Sequence, residues 1–136
     1  MSAATVLRPA QIVARERGGG ARTIPLVNAR IGSRQTLSGI TEFDPGAAIA
    51  LHTHNCEETV MVLEGQAVAE IDGVEQALGA TDTSWIPAGT PHRFRNASTT
   101  DRMRIYWTYA SIDATRTVVA TGVTTRIDEE HGVAPD

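Results

Sequence analysis

Polar and apolar residues alternate with a period of two along most of this 136-residue chain. That alternation is typical of strands with one buried face, because successive side chains on a strand point to opposite sides. The segments that show it are 22–28, 35–43, 48–54, 58–65, 66–72, 74–78, 83–87, 92–96, 102–109 and 115–121. Turn sequences such as DPG, EG, DG and PAG separate them. Many short, evenly spaced strands predict an all-β barrel or sandwich.

The chain length fits one domain over residues 1–136. We predict an N-terminal arm over about 1–30, a barrel over about 31–121 and a polar tail over about 122–136. The only helical candidate is a short piece around 9–17. The tail sequence IDEEHGVAPD is polar, so we expect it to fray and leave His131 in solvent.

Composition excludes several classes of protein. The net charge of −4 argues against nucleic-acid binding, which needs a basic face. No apolar run approaches the roughly 20 residues of a membrane helix, and the N-terminus lacks a signal-peptide core. With a single cysteine the chain cannot form an internal disulfide, so we predict a cytoplasmic location. The chain has no lysine, which removes Schiff-base chemistry and a Gly-Lys-Ser/Thr phosphate loop.

The segment HTHNCEETVMVLEG carries ionisable side chains at the start of an apolar strand. His52 and His54 share one strand face, and Glu58 keeps the same parity, whereas Glu57 has the opposite parity and should be solvated or lie outside the ligand set. Two imidazoles and a carboxylate in an apolar interior would cost several kcal/mol unless something satisfied them. A divalent transition metal would do so, and these donors suit iron, manganese, nickel, copper or zinc. Cys56, close to His54, is a candidate for redox modification.

A later segment, GTPHRFRN, offers a further ligand. His92 follows the rigid IPAG turn, and His92, Phe94 and Asn96 share one face of the predicted strand. We expect Asn96 to hold the backbone of its own loop.

These two segments together resemble the motifs of the cupin family. Gly46, His52, His54, Glu58 and Gly65 match the pattern G-x5-H-x-H-x3-E-x6-G position by position.

The core of the second motif, P-x-G-x2-H-x3-N, is matched by Pro87, Gly89, His92 and Asn96. Its leading glycine departs from the pattern, since Gly79 lies two residues too far upstream. The departure affects a turn and no ligand, and the resemblance covers residues 46–96 directly.

The resemblance implies a small cupin of the conserved-barrel type, with a jelly-roll-like β-barrel. It also implies a metal bound by His52, His54, Glu58 and His92. Because cupins commonly exchange N-terminal strands, and segment 21–30 reads as such a strand, we expect a homodimer.

A substrate pocket is expected on the inward face of the barrel. In RMRIYWTY the apolar side chains of one parity are Met103, Ile105, Trp107 and Tyr109, which should point inward. The predicted pocket residues are Phe43, Met61, Trp85, Phe94, Trp107 and Tyr109. Such a pocket would be mostly apolar, which favours a small, partly apolar organic ligand.

Four protein ligands on an octahedral metal leave two adjacent positions for a chelating substrate, or for substrate and dioxygen on Fe(II). An Fe(II)-dependent oxygenase of the dioxygenase type is therefore the favoured function. One alternative is a metal-dependent isomerase, lyase or decarboxylase acting on a sugar-like or carboxylate substrate, and another is a noncatalytic binding or sensing module. Few residues could transfer protons: Tyr109 and Glu57 are the catalytic candidates, Glu42 is a weaker one, and no further inward histidine is expected.

Overall fold

The computed structural model describes residues 3–135, which form antiparallel strands almost throughout. Residues 1, 2 and 136, at the ends of the predicted arm and tail, lie outside the described residues. The strands are β1 (Arg15–Gly18), β2 (Ala21–Pro25), β3 (Leu37–Phe43), β4 (His52–His54), β5 (Glu58–Glu64), β6 (Ala67–Ile71), β7 (Val74–Leu78), β8 (Thr83–Ile86), β9 (His92–Asn96), β10 (Met103–Tyr109), β11 (Thr115–Val118) and β12 (Thr124–Arg126).

The strands form two six-stranded antiparallel sheets. One has the order β1-β2-β3-β10-β5-β8, and the other has the order β12-β11-β4-β9-β6-β7. Tight turns at Gly65 and at Asp72–Gly73 join β5 to β6 and β6 to β7, as the turn sequences predict. This is a jelly-roll β-barrel, and the predicted fold class is confirmed.

The core forms where the alternation places it. On β10 every second side chain is buried, namely Met103, Ile105, Trp107 and Tyr109. The same alternation along β5 buries its even-numbered residues from Glu58 to Val62. The period of two therefore determines which side chains enter the barrel.

The indole of Trp107 fits against the neighbouring strand because its cross-strand partner is a glycine. Gly39 lies opposite Trp107 in the pairing of β3 with β10. A Cβ atom at position 39 would lie 2.5 Å from Trp107 Cζ2 and 2.8 Å from the carbonyl oxygen of Ile24. The indole therefore occupies space that only a glycine leaves open.

Both chain ends differ from the predictions. Around 9–17 the structure has a 3-10 helix at Pro9–Gln11 followed by β1, and a second 3-10 helix lies at Ala29–Ile31. The one α-helix of residues 3–135 is α1 (Ile127–Glu130), inside the predicted frayed tail. No helix in this part of the chain is long and apolar enough to cross a membrane.

The expectation of a frayed tail with a solvated His131 is wrong. Ile127, Asp128 and His131 are buried, and Glu130 accepts hydrogen bonds from two arginines of the barrel. Ile127 packs into the apolar core cluster. Burial of that side chain, together with the ion pairs, holds a segment whose polarity alone suggests disorder.

Candidate metal centre

Three histidines meet inside the barrel. His52 and His54 lie on β4, and His92 on β9 pairs directly with His52. All three are buried, and their ligand-type nitrogen atoms lie within 4.8 Å of one another. This is the arrangement that the two segments predict.

Each of these imidazoles is oriented by a backbone carbonyl. Nδ1 of His52 lies 2.6 Å from the oxygen of Ala50, and Nδ1 of His54 lies 2.9 Å from that of Thr115. Nδ1 of His92 lies 2.9 Å from the oxygen of Thr90. A carbonyl can only accept, so Nδ1 carries the proton and Nε2 of a neutral ring presents a lone pair. Such outer hydrogen bonds are those that orient metal-binding histidines in proteins.

Glu58 adds a carboxylate to the same cluster. Its Oε1 lies 2.9 Å from Nε2 of His92 and 3.3 Å from Nε2 of His54. Burial alone would raise the pKa of Glu58, but the polar contacts and charge of His54 and His92 outweigh it and lower the pKa to about 2. Burial, followed by the charges of His92 and His54, lowers the pKa of His52 to about 3. The cluster therefore carries an ionised carboxylate and an uncharged His52 near neutral pH.

The donor set fits a divalent transition metal. With Nδ1 protonated, the lone pair on Nε2 of a neutral His92 faces the lone pairs of the Glu58 carboxylate, and only a proton or a cation between them relieves the repulsion. Nε2 of His54 is buried and, apart from its 3.3 Å approach to the Glu58 carboxylate, has no polar partner. An unsatisfied buried nitrogen of this kind costs about 1–3 kcal/mol unless a ligand satisfies it. Three imidazole nitrogens and one carboxylate oxygen form a set that suits iron, manganese, nickel, copper or zinc.

A cavity opens beside the histidines. Its apolar wall consists of Phe43, Ile49, Phe94, Ile105, Trp107, Tyr109 and Ile127. Four of the six predicted pocket residues, Phe43, Phe94, Trp107 and Tyr109, therefore line this cavity. The cavity volume is about 40 Å³, and one water needs about 10–15 Å³ of such space, so the room is for a few water-sized groups.

The other two predicted pocket residues lie elsewhere. Trp85 is 61% exposed because Ile86, not Trp85, has the inward parity on β8. Met61 is half-buried and has the opposite parity to the inward residues of β5. Both placements in the pocket are wrong, since a side chain on the outer face of a strand cannot reach the barrel interior.

The carboxylate candidates for proton transfer also lie outside the cavity. Glu57 is exposed and accepts a hydrogen bond of 2.7 Å from Nε1 of Trp85. It therefore lies outside the ligand set, as expected, but it is too far from the cavity lining to transfer protons there. Glu42 forms an ion pair of 3.0 Å with Arg104 and lies away from the cavity lining.

Tyr109 does lie in the cavity. Its ring contacts that of His54, with centroids 4.6 Å apart, and that of Trp107, with centroids 5.1 Å apart. Burial raises the pKa of Tyr109 well above its ordinary value, and the charge of Glu58 raises it further. The phenol therefore keeps its proton and can act as a hydrogen-bond donor, not as a base near neutral pH.

A polar wall was missed by the sequence predictions. Arg17, Arg116, Glu130 and His131 line the cavity together with the histidines, so the expectation of no further inward histidine is wrong, and the apolar wall faces a charged one. These residues come from β1, β11 and the C-terminal segment, far apart in the chain. Parity along one strand carries no signal for them, because their convergence depends on which strands are neighbours.

Asn96 and Cys56 have structural surroundings. The Asn96 amide donates to the carbonyl oxygens of Asp101 and Phe43, and its Oδ1 accepts from the backbone of Ser98. It therefore holds its own loop, as expected, and ties that loop to β3. Cys56 packs against the core, and burial raises the pKa of its thiol, which lowers its thiolate fraction.

Comparison with known proteins gives one family and several relatives. The model of the Cupin domain family matches residues 39–109. Over 62 residues the chain is 39% identical to quercetin 2,3-dioxygenase from Bacillus subtilis, an alignment that takes in 45% of this chain and 18% of that protein. Over 59 residues it is 36% identical to dimethylsulfoniopropionate lyase DddW from Ruegeria pomeroyi, covering 43% of this chain and 39% of the relative. The chain thus spans well under half the length of these curated relatives.

Solved structures share the fold at lower sequence identity. The polyketide cyclase RemF from Streptomyces resistomycificus superimposes with a TM-score of 0.74 at 18% identity, over 92% of this chain and 86% of that chain. At this level of identity the similarity concerns the fold alone.

Proposed function

The chain belongs to the cupin domain family, and on that premise we propose that it is a metal-dependent enzyme acting on a small organic substrate, with Fe(II)-dependent oxygenase chemistry as the first candidate. The observation that carries the proposal is the convergence of three Nε2 atoms whose partner Nδ1 atoms are all held by backbone carbonyls. The partial similarity to quercetin 2,3-dioxygenase supports the choice of oxygenase.

His52, His54, Glu58 and His92 would hold the metal. Bound Fe(II) would supply Lewis acidity and electron transfer to dioxygen. Trp107 and Phe94 would exclude water from the cavity and position the substrate against the histidines.

Metal analysis tests the ligand set through two adjacent glutamates. Glu58 is buried in the cluster and Glu57 is exposed, so Glu57→Gln is a matched control for Glu58→Gln. We expect Glu58→Gln to lower metal affinity at least 10–100-fold, the range typical of losing even an outer partner of a metal site. Glu57→Gln should retain the affinity of the wild-type protein. If Glu57→Gln loses the metal while Glu58→Gln keeps it, the assigned ligand face is the wrong one.

Oxygenase chemistry can be tested without knowing the substrate. The protein is loaded with Fe(II) without oxygen and exposed to nitric oxide, a stable stand-in for dioxygen that needs an open coordination position. We expect the electron paramagnetic resonance signal of a ferrous nitrosyl species, and its loss in His92→Ala. Iron that binds stoichiometrically but gives no such signal would contradict the oxygenase proposal and leave metal binding intact.

A second candidate, a metal-dependent lyase or decarboxylase, is favoured by Tyr109. Its phenol keeps its proton next to Glu58 and could donate it to a leaving or developing anion. The partial similarity to a dimethylsulfoniopropionate lyase supports this class too. Two results would favour the lyase or decarboxylase over the oxygenase. The protein would bind stoichiometric metal without binding nitric oxide, and it would turn over a carboxylate substrate in a reaction that Tyr109→Phe abolishes.

A further inference from the structure

Two arginines face the cavity, and the proposed metal site has no use for them. Arg17 on β1 and Arg116 on β11 line it together with His52, Glu58 and His92. Their side chains are only 12% and 18% exposed. Arginine is rarely buried to this degree unless its charge has a partner.

The strand pairing directs both arginines inward. Arg116 lies directly opposite His54 where β11 pairs with β4, and opposed residues of antiparallel strands project from the same face. A bulge between Glu16 and Gly18 interrupts the pairing of β1 with β2, and bulges redirect side chains. Arg17 thereby reaches the cavity.

The guanidinium group of Arg17 is held in one orientation. Its Nη1 donates to Thr23 Oγ1 at 3.2 Å and lies 2.9 Å from Nε2 of His131. The His131 ring in turn packs against Trp107, with centroids 5.0 Å apart. Arg17 is thus a preorganised group, and a ligand that used it would pay little to order the side chain.

The polar wall carries uncompensated positive charge. Glu130 is its one carboxylate, and it accepts from Nη2 of Arg17 at 2.6 Å and from Nε of Arg116 at 3.1 Å. His131 is uncharged near neutral pH, because burial and then the neighbouring arginines lower its pKa to about 3. Two guanidinium groups and one carboxylate leave a net charge of +1 on this largely desolvated wall. The other carboxylate of the cavity, Glu58, lies against the histidines, where a bound metal would balance it, so an incoming anion is favoured at the arginine end.

We propose that the substrate is a small carboxylate whose carboxylate group binds Arg17 and Arg116 while its other end reaches the histidines. This inference rests on the proposed metal-dependent function. A carboxylate matches the planar guanidinium fork in geometry. Between the two ends, Trp107 and Tyr109 offer an apolar wall to the carbon chain of the substrate.

The test uses metal-free protein, so that no metal takes part in binding. Propanoate and its uncharged isostere propanamide are titrated against chelator-treated protein by calorimetry or by nuclear magnetic resonance. We expect propanoate to bind at least tenfold more tightly than propanamide, as a charge-assisted hydrogen bond would give. Equal binding of the two compounds would overturn the proposal.

The variants locate the binding. Arg116→Gln should lower the preference for propanoate over propanamide about tenfold. If that variant fails to fold, Arg116→Lys, which keeps the positive charge, takes its place and should retain part of the preference. Arg102→Gln is the matched control, because Arg102 is an arginine ion-paired with Glu64 at 3.0 Å outside the cavity lining. An equal loss of the propanoate preference in Arg102→Gln would mean that overall charge causes the effect, and it would refute the proposed site. Inorganic phosphate binding more tightly than propanoate would refute the carboxylate assignment.

The outcomes separate the two proposals. Protein that binds metal but shows no Arg116-dependent preference for propanoate loses the carboxylate proposal and keeps the proposed function. Protein that shows the preference but takes up no metal keeps the anion site and loses the proposed function.

Discussion

His131 should make the stability of the metal-free protein depend strongly on pH. It is buried, accepts a hydrogen bond from Arg17 and packs against Trp107. Burial, then the charges of Arg17, Arg116 and Arg15, lowers its pKa from 6.5 to about 3. The unfolded chain therefore binds a proton at His131 over a pH range in which the folded protein does not.

The sign and size of the effect follow from linkage. Because the folded pKa is depressed, stability is fully present above pH 6.5 and is lost as the pH falls from 6.5 toward 3. Each pH unit in that window costs about 1.4 kcal/mol for one group. Between pH 7 and pH 4.5, His131 alone should cost about 2.5 kcal/mol of unfolding free energy. This figure holds for any folded pKa below about 4, so it does not depend on the exact value.

The variant His131→Gln isolates this contribution, since glutamine can accept from Arg17 but cannot titrate. Urea unfolding of chelator-treated protein is measured at several pH values from 7 to 4.5. We expect the wild-type protein to lose about 2.5 kcal/mol more than His131→Gln over that range. Val133→Ala, a neighbouring change without a titrating group, should lower stability equally at every pH. Parallel pH profiles for the wild-type protein and His131→Gln would refute the burial argument.

Three further predictions concern packing, metal and assembly. In urea unfolding, Gly39→Ala should destabilise the protein by about 1–3 kcal/mol through the clash with Trp107. The control Gly79→Ala should have little effect, because its added Cβ would have no atom nearer than 4.0 Å. Equal effects of the two substitutions would contradict the prediction. Chelation should lower the melting temperature, since a metal at 100 times its Kd stabilises the folded state by about 2.7 kcal/mol, and an unchanged melting curve after complete metal removal would count against a bound metal. We also propose a homodimer formed through segment 21–30, to be checked by light scattering at micromolar concentration, where a monomer would disprove it.

Strand parity determined which ligands of the metal site share a face. His52, His54 and Glu58 fall on one face because they lie on short strands with a period of two, and the structure buries all three. The same rule brings Trp107 and Tyr109 inward on β10. This information is local, since it needs only the assignment of a segment as a strand and the polarity of its residues.

Parity fails where the register of a strand is not evident from its own residues. TSWIP contains a tryptophan and an isoleucine next to each other, and either could face the barrel. The structure turns Ile86 inward and leaves Trp85 exposed, because the pairing of β8 with β5 places Trp85 opposite the exposed Thr59. A one-residue slip exchanges the two faces of a strand, so the choice belongs to the neighbouring strand.

The polar wall of the cavity depends entirely on tertiary structure. Arg17, Arg116 and His131 are far apart in sequence and reach one cavity only because β11 pairs with β4, β1 carries a bulge and the C-terminal segment packs against the barrel. No local pattern encodes these contacts. Alternation along a strand determines which of its side chains share a face, but the pairing of strands distant in the chain decides which faces meet, and hence which charges a substrate encounters.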